Sequence, residues 1–130
     1  MEAGLLFTCK LAGSRGFLGR EAVEKAREDG PQRRLVSVVL DDPDVRMWGG
    51  ELLLRDGEPA GQVTSAAWGE SVSAAVGLAY LRCPAGQVVT PDYVRSGRYE
   101  VNVGGRVAGA AVGLRPPYDP GGLRIRPPAR

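Results

Sequence analysis

The sequence predicts a mainly β domain, a small barrel or sandwich, preceded by a short strand and one helix. The chain has 130 residues, the usual size of one domain. Its 19 glycines and 10 prolines are typical of a β protein with many turns. Two hairpin signals, Asp56-Gly57 and Gly104-Gly105, separate runs rich in apolar and β-branched residues. Closure into a barrel would pair every strand edge, which favours the barrel in a chain with this many strands.

The first 31 residues predict a short strand, a loop and a helix. Gly4–Leu11 is expected to be extended, and the glycines that follow it indicate a loop. Arg20–Asp29 places its small apolar residues on one face and its charged residues on the other, as an amphipathic helix does. Gly30 and Pro31 then end the helix, because glycine accepts the left-handed cap and proline cannot continue the hydrogen-bond pattern. We place the only domain boundary here, between residues 1–31 and 32–130.

After Pro31 the residue pattern becomes typical of a β domain. Arg34–Asp41 is short and β-branched, as expected of a buried strand. The hairpin signals lie within longer patterns, and each predicts two antiparallel strands. The four strands are expected at Glu51–Arg55, Pro59–Ser65, Arg98–Val103 and Arg106–Leu114.

Two stretches are less defined by their pattern. Ser71–Arg82 has alanines that suit a helix and a central glycine that suits a strand, so periodicity leaves both open. The tail from Arg115 is rich in proline and indicates either an extended wrapping segment or disorder.

The absence of histidine excludes several kinds of catalytic and metal-binding site. No Ser-His-Asp or Cys-His arrangement can form, and no histidine-ligated metal site. Asp41, Asp42 and Asp44 lack the spacing of a calcium-binding loop. They are typical of a solvated turn, so no metal site is predicted. The net charge is only +2 and the basic residues are spread along the chain, which argues against a nucleic-acid partner.

Other features predict a protein of the cytoplasm without a membrane partner. No run approaches the roughly 20 apolar residues of a membrane span, and no signal peptide is recognisable. Cys9 and Cys83 are expected to be two buried free thiols. Trp48 and Trp68 are interpreted as packing anchors.

A set of short motifs follows the chain in a characteristic order. They are Phe17-Leu18-Gly19-Arg20-Glu21-Ala22, Arg33-Arg34-Leu35-Val36, Gly49-Gly50-Glu51, Arg55-Asp56-Gly57, Gly61-Gln62-Val63-Thr64-Ser65, Gly97-Arg98-Tyr99-Glu100-Val101 and Tyr118-Asp119-Pro120. Their order and spacing resemble the C-terminal end of the glycine cleavage T-protein family, which includes aminomethyltransferase and the folate-binding portions of dimethylglycine and sarcosine dehydrogenases. The stretch from Arg98 and the Tyr118 motif look more similar to the dehydrogenase-type members.

The resemblance implies a particular architecture. Residues 32–130 would form the family's C-terminal Greek-key barrel with its Pro-rich tail, similar to a barrel of translation elongation factors. Residues 1–31 would be the last strand and helix of a preceding domain. Within the barrel, Val76–Leu81 would be a strand.

The resemblance also implies a function that the chain cannot perform alone. The family transfers a one-carbon unit from an amine donor to tetrahydrofolate, and its reactive Asp lies in an N-terminal region that this chain does not contain. No catalytic residue is therefore assigned, and the expected partners are folate and the missing N-terminal domains or a partner subunit. Three contexts stay open: an aminomethyltransferase-like protein, the folate domain of a flavin-dependent dehydrogenase with flavin on a separate upstream domain, or a non-catalytic structural or interaction barrel.

Two residues match positions at which the family contacts folate. Phe7 stands where the family has an aromatic residue, often Trp, beside the pterin or benzoyl ring, and an aromatic wall suits a flat ligand. Arg34 stands where the family has an arginine near the glutamate tail, and a guanidinium binds a carboxylate through two parallel hydrogen bonds. The alternatives are a core aromatic residue on a strand for Phe7 and a surface residue at the start of a strand for Arg34.

Overall fold

A computed structural model of the chain describes residues 1–13 and 16–126. Within these residues six strands close into one antiparallel barrel in the order β1-β4-β3-β2-β5-β6. The strands are β1 (Arg33–Leu40), β2 (Leu52–Arg55), β3 (Glu58–Gly69), β4 (Ala74–Arg82), β5 (Tyr99–Val103) and β6 (Arg106–Gly113), and the helices are α1 (Arg20–Asp29) and α2 (Pro91–Ser96). The predicted barrel is confirmed. Strands β2, β3 and β4 are consecutive neighbours with β1 beside β4, which is the Greek-key arrangement.

The barrel core is built from the alternate residues of each strand. Along β1 the inward-facing side chains are Val36, Val38 and Leu40, each at most 2% exposed, and the residues between them are half-buried. The other strands contribute the fully buried Leu53, Val63, Leu81 and Val101. Aliphatic side chains packed in this way bring the main stabilisation of the domain.

Both predicted hairpins are confirmed, and their turns explain why the sequence signal is reliable. Asp56 and Gly57 have φ values of 54° and 85°, and Gly104 and Gly105 have 59° and 92°. Two consecutive positive φ values match the twist of the flanking strands, and Gly and Asp tolerate them better than other residues. The Asp56 carboxylate also accepts a hydrogen bond from the Arg98 backbone N–H at 2.9 Å.

The ambiguous stretch Ser71–Arg82 becomes a strand over most of its length. Ala74–Arg82 forms β4, which confirms the strand implied by the family resemblance, and Glu70–Val72 is a short 3-10 turn before it. Gly77 lies between β1 and β3, where an added Cβ would come within 3.0 Å of the Ser65 carbonyl oxygen. The central glycine, which suited a strand in the sequence pattern, is therefore required by the close approach of β3.

The N-terminal segment differs from its prediction. Gly4–Leu11 contains no strand; Leu6–Thr8 forms a single 3-10 turn. The Thr8 hydroxyl and the Thr8 backbone N–H both donate to the Leu5 carbonyl, at 2.7 and 3.0 Å, so these groups are satisfied locally. The helix predicted over Arg20–Asp29 is confirmed, and none of its residues is buried.

The sequence pattern also missed a helix and misjudged three side chains. Helix α2 is capped by Thr90, whose hydroxyl accepts a hydrogen bond from the Tyr93 N–H at 3.1 Å. Trp48, in the loop between β1 and β2, is 84% exposed, so its interpretation as a packing anchor is wrong. Cys9 and Cys83 are free, as predicted, but both are only half-buried because they lie in segments flanking the barrel.

In the described part of the chain, no helix is long and apolar enough to cross a membrane.

Candidate ligand groove

An open groove of about 570 Å³ lies against β1, β4 and β3 on the outer surface of the barrel. This volume is in the range of small-molecule sites, about 300–1,000 Å³. The groove is lined by Ala3, Gly4, Arg34, Leu35, Val36, Ser37, Ser65, Ala66, Ala67, Val76, Gly77, Leu78, Leu114, Arg115, Pro116 and Pro117.

The floor of the groove is formed by short or aliphatic side chains from three neighbouring strands. Ser37, Leu78 and Ser65 occupy matched positions in the ladders of β1, β4 and β3. Leu78 is 44% exposed, although it is a large apolar residue on a strand. An apolar floor with few polar groups favours a ligand that has a flat or aliphatic body.

Both walls of the groove are tied to β1 by hydrogen bonds. The Leu35 N–H donates to the Glu2 carbonyl at 2.7 Å and so holds the N-terminal segment beside the strand. On the opposite wall, the Ser37 hydroxyl donates to the carbonyls of Gly113 and Arg115, at 3.1 and 2.7 Å. The shape of the groove therefore depends on strand pairing and on segments that are far apart in the sequence.

Arg34 is the predicted site residue that the structure places in this groove. It is half-buried at the beginning of β1, opposite Leu81 of β4. Within residues 1–13 and 16–126 its guanidinium has no hydrogen bond and no ion pair. The adjacent Arg33 differs, because its Nε donates to the Glu2 carboxylate at 2.6 Å and this contact raises the pKa of Arg33. Arg34 is therefore the cation of this pair that remains able to bind an anion.

The groove contains a second arginine that the sequence pattern did not single out. Arg115 follows β6 and was included in the Pro-rich tail, but the structure places it on the wall of the groove. Two of the lining residues are arginines and none is acidic. Only the closure of the barrel could have revealed this, because it brings the residues after β6 beside β1.

Phe7 is not among the residues that line the groove. It lies on the 3-10 turn and is 83% exposed, so it is neither on a strand nor in the core. The structure of this chain does not bring Phe7 and Arg34 into one cleft, and the role of Phe7 at a ligand stays a prediction.

The groove combines an apolar floor with two arginines and has no acidic residue in its lining. A half-buried arginine beside an apolar floor suits a ligand with an aromatic body and an anionic end. Among the residues that the structure describes, no three Cys, Asp or Glu side chains are grouped so that they could hold a metal ion. The described lining therefore offers basic and apolar groups to a ligand and no carboxylate.

Comparison with known proteins identifies the barrel. Residues 33–119 match the family described as the glycine cleavage T-protein C-terminal barrel domain. The mouse mitochondrial sarcosine dehydrogenase is 40% identical over 126 residues, which is 97% of this chain and 14% of that protein. The aminomethyltransferase of Synechococcus sp. (strain WH7803) is 33% identical over 117 residues, 90% of this chain and 30% of that protein.

A solved structure supports the same fold. The glycine cleavage system aminomethyltransferase T from Bartonella henselae superimposes with a TM-score of 0.57 at 21% identity, over 75% of this chain and 25% of that one. The chain thus spans less than a third of the length of these proteins, and what it matches in them is one barrel domain. Since its barrel matches the family over residues 33–119, the chain belongs to the glycine cleavage T-protein family and carries that family's C-terminal barrel domain.

Proposed function

We propose that this chain contributes part of a tetrahydrofolate site to an aminomethyltransferase-like enzyme, and that other polypeptide supplies the reactive acid. The observation that supports the proposal most is that the half-buried residue Arg34 is part of a groove lining without any carboxylate, and that its guanidinium has no anionic partner among the described residues. A guanidinium without a protein partner is able to bind an anionic ligand through charge-assisted hydrogen bonds.

Arg34 would hold the carboxylate end of the ligand. A guanidinium stays charged at every physiological pH and can donate two parallel N–H groups to one carboxylate. A hydrogen bond to a charged group contributes about 1.5–3 kcal/mol. The apolar floor around Leu78 would pack against the uncharged part of the ligand and exclude water from it. When bound, tetrahydrofolate would supply the nitrogen that accepts the one-carbon unit.

The role of Phe7 belongs to the same proposal. An aromatic ring that is 83% exposed is available to a partner surface, and a flat heteroaromatic ligand stacks favourably on such a ring. Because Phe7 lies outside the groove, its contact with the ligand would require that the ligand extends beyond this chain toward the preceding domain. We expect Phe7→Trp to keep folate binding and Phe7→Ser to weaken it in the completed protein.

The catalytic context has two candidates within the family. The 40% identity to sarcosine dehydrogenase along almost the whole chain favours the folate domain of a flavin-dependent dehydrogenase as the second candidate. The resemblance is with the barrel alone, so the polypeptide that completes the site decides between them. A flavin absorbance spectrum in the purified complete protein would identify a dehydrogenase. An active preparation without flavin absorbance would identify a transferase. A cytoplasmic location is part of the proposal and is tested by cell fractionation.

Calorimetry with 5-formyltetrahydrofolate tests the proposal. We expect tight binding by the protein that contains this chain together with the polypeptide completing the site, and millimolar or weaker binding by the 130-residue chain alone. Arg34→Gln should weaken binding by tenfold or more, which is the equivalent of about 1.4 kcal/mol. Arg95→Gln is the matched control, because Arg95 lies on α2 outside the groove and is exposed. Equal affinity of the Arg34→Gln variant and the wild type would remove Arg34 from the site, and no binding by the complete wild-type protein would favour a non-catalytic barrel.

A further inference from the structure

We propose that Ser37 is a positioning residue of the groove, whose hydroxyl fixes one wall beside β1 and thereby raises the affinity for the ligand. This inference rests on the proposed function, because the ligand in question is the folate of that proposal. The wall is formed by residues 114–117, which follow β6 and line the groove. Ser37 would act through this wall and not by touching the ligand.

This wall begins where the pairing of strands ends. The last matched pair of β1 and β6 is Ser37 with Gly113, and within the described part of the chain residues 114–118 take part in no hydrogen bond between backbone groups. The two prolines of the wall have no N–H that could donate to a ladder. Leu114 packs against the core and anchors the wall on its inner side. On the outer side, the attachment comes from a side chain.

The Ser37 hydroxyl provides this attachment. Its oxygen lies 2.7 Å from the Arg115 carbonyl oxygen and 3.1 Å from that of Gly113, so its single proton is directed between these two acceptors. The partner of Ser37 in the ladder is a glycine, so no side chain at that position separates the hydroxyl from the wall. A Cβ added to Gly113 would lie 3.5 Å from the Ser37 oxygen and 3.9 Å from the Arg115 carbonyl oxygen. The hydroxyl therefore reaches past the end of the ladder.

The two walls of the groove are attached in different ways. The N-terminal wall is attached through the backbone, because the Leu35 N–H donates to the Glu2 carbonyl at 2.7 Å. A backbone bond of this kind does not depend on the side chain, whereas the bond to the Arg115 carbonyl is lost when the Ser37 hydroxyl is removed. A wall that moves in the free protein has to be ordered when a ligand binds, and this ordering lowers the affinity. Ser37 is thus the position at which one side chain controls the mobility of the wall.

The first experiment measures the wall without a ligand. NMR relaxation of the 130-residue chain gives the order parameters of the Leu114 and Arg115 backbone amides, which are about 0.85 in rigid backbone and below about 0.6 in flexible backbone. We expect Ser37→Ala to lower both values toward about 0.6. Ser37→Thr should keep the wild-type values, because threonine retains the hydroxyl and suits a strand. Thr64→Val is the matched control, since it removes a hydroxyl that donates to the Leu78 carbonyl at 3.1 Å and lies outside the groove lining.

The second experiment measures the affinity of the complete protein for 5-formyltetrahydrofolate by calorimetry. We expect Ser37→Ala to weaken binding by about two- to tenfold, because the ligand then has to order the wall. Ser37→Thr and Thr64→Val should bind as the wild type does. A merely structural role of Ser37 would lower the midpoint of thermal unfolding in Ser37→Ala and Thr64→Val alike and would leave the affinity unchanged.

The possible results separate this inference from the proposed function. Unchanged order parameters in Ser37→Ala, or an affinity equal to that of the wild type, would overturn the inference and leave the proposed function standing. A loss of affinity that Ser37→Thr does not restore would show that the hydroxyl is not the cause, and would also overturn the inference. If the complete wild-type protein binds no folate, the proposed function fails, and the role of Ser37 in ligand affinity fails with it.

Discussion

The guanidinium of Arg55 lies over the ring of Tyr93, with its central carbon 4.1 Å from the ring centroid. The same guanidinium donates through Nη2 to the Tyr93 carbonyl at 3.3 Å and to the Ser96 hydroxyl at 3.1 Å. Arg55 ends β2, and both partners lie on α2. One side chain therefore attaches the short helix to the barrel, and this is needed because a helix of six residues is not stable by itself.

Arg55→Ala is expected to lower the free energy of unfolding by about 1–3 kcal/mol. The variant loses a cation–π contact, typically about 0.5–2 kcal/mol, and two hydrogen bonds of α2. Arg95→Ala on the same helix is the matched control, because its exposed ion pair with Asp92 contributes about 0–1 kcal/mol. Urea denaturation of both variants measures the difference. Equal midpoints for the two would show that Arg55 does not hold the helix.

Gly97→Ala is expected to destabilise the protein by about 1–3 kcal/mol through overpacking. Gly97 has φ −82° and ψ 148°, which any residue adopts, so the cost would be steric. An added Cβ would come within 2.5 Å of Arg55 Nε and 2.9 Å of Tyr99 Cζ. A double-mutant cycle measures the origin of the cost: the penalty of Gly97→Ala should be smaller in the Arg55→Ala background. Strict additivity of the two substitutions would contradict this contact.

The stability of the protein is expected to fall at alkaline pH because of Tyr99. Its hydroxyl donates to the Val94 carbonyl at 2.9 Å, and burial raises the pKa of Tyr99 above its ordinary value near 10, although the neighbouring Arg55 opposes the shift. The unfolded chain then releases this proton at a lower pH than the folded one. Stability is therefore complete below about pH 10 and is lost as the pH rises through the folded pKa.

The variant Tyr99→Phe isolates this contribution. It should cost about 1 kcal/mol at neutral pH through the lost hydrogen bond, and its stability should depend less on pH between 9 and 11. Urea denaturation at several pH values measures both effects. Burial also raises the pKa of Tyr93, so the variant should retain a weaker alkaline dependence. The same slope for the variant and the wild type would exclude Tyr99 as a source.

Two adjacent leucines of β2 are expected to differ strongly in their contribution to stability. Leu53 points into the barrel and is fully buried, whereas Leu52 points outward and is 40% exposed. Leu53→Ala should cost about 2–5 kcal/mol because it leaves a cavity in the core. Leu52→Ala serves as the control and should cost less than about 1 kcal/mol, in line with exposed positions. Thermal unfolding of the pair tests the alternation of faces along this strand.

The local signals of the sequence account for the elements that were predicted correctly. The helix Arg20–Asp29 was predicted with the bounds it has, because Gly30 and Pro31 act within the segment itself. The turns at Asp56-Gly57 and Gly104-Gly105 require positive φ values that few residues accept, so their position is readable without any tertiary contact. In each case the residues that determine the structure are neighbours in the chain.

Features that depend on contacts between residues far apart in the chain could not be predicted from local sequence signals. The strand β4 is rich in alanine and contains Gly77, and only its pairing with β1 and β3 makes it a strand. Arg34 was singled out by family resemblance, but no local pattern distinguishes Arg115 from the other arginines of the tail. The exposure of Trp48 likewise depends on where its loop leaves the barrel, which the identity of the residue does not indicate.

The barrel can close only after its last strand, β6, has been synthesised. Ser37 of β1 pairs with Gly113 of β6, so the first strand leaves the ribosome long before its second neighbour has been translated. During this interval β1 and β5 each have one row of backbone N–H and C=O groups without a strand partner, and such rows readily recruit strands from other chains. Nascent polypeptides arrested before Arg106 would therefore depend on chaperones to avoid intermolecular pairing, whereas the completed chain has no open edge in its barrel.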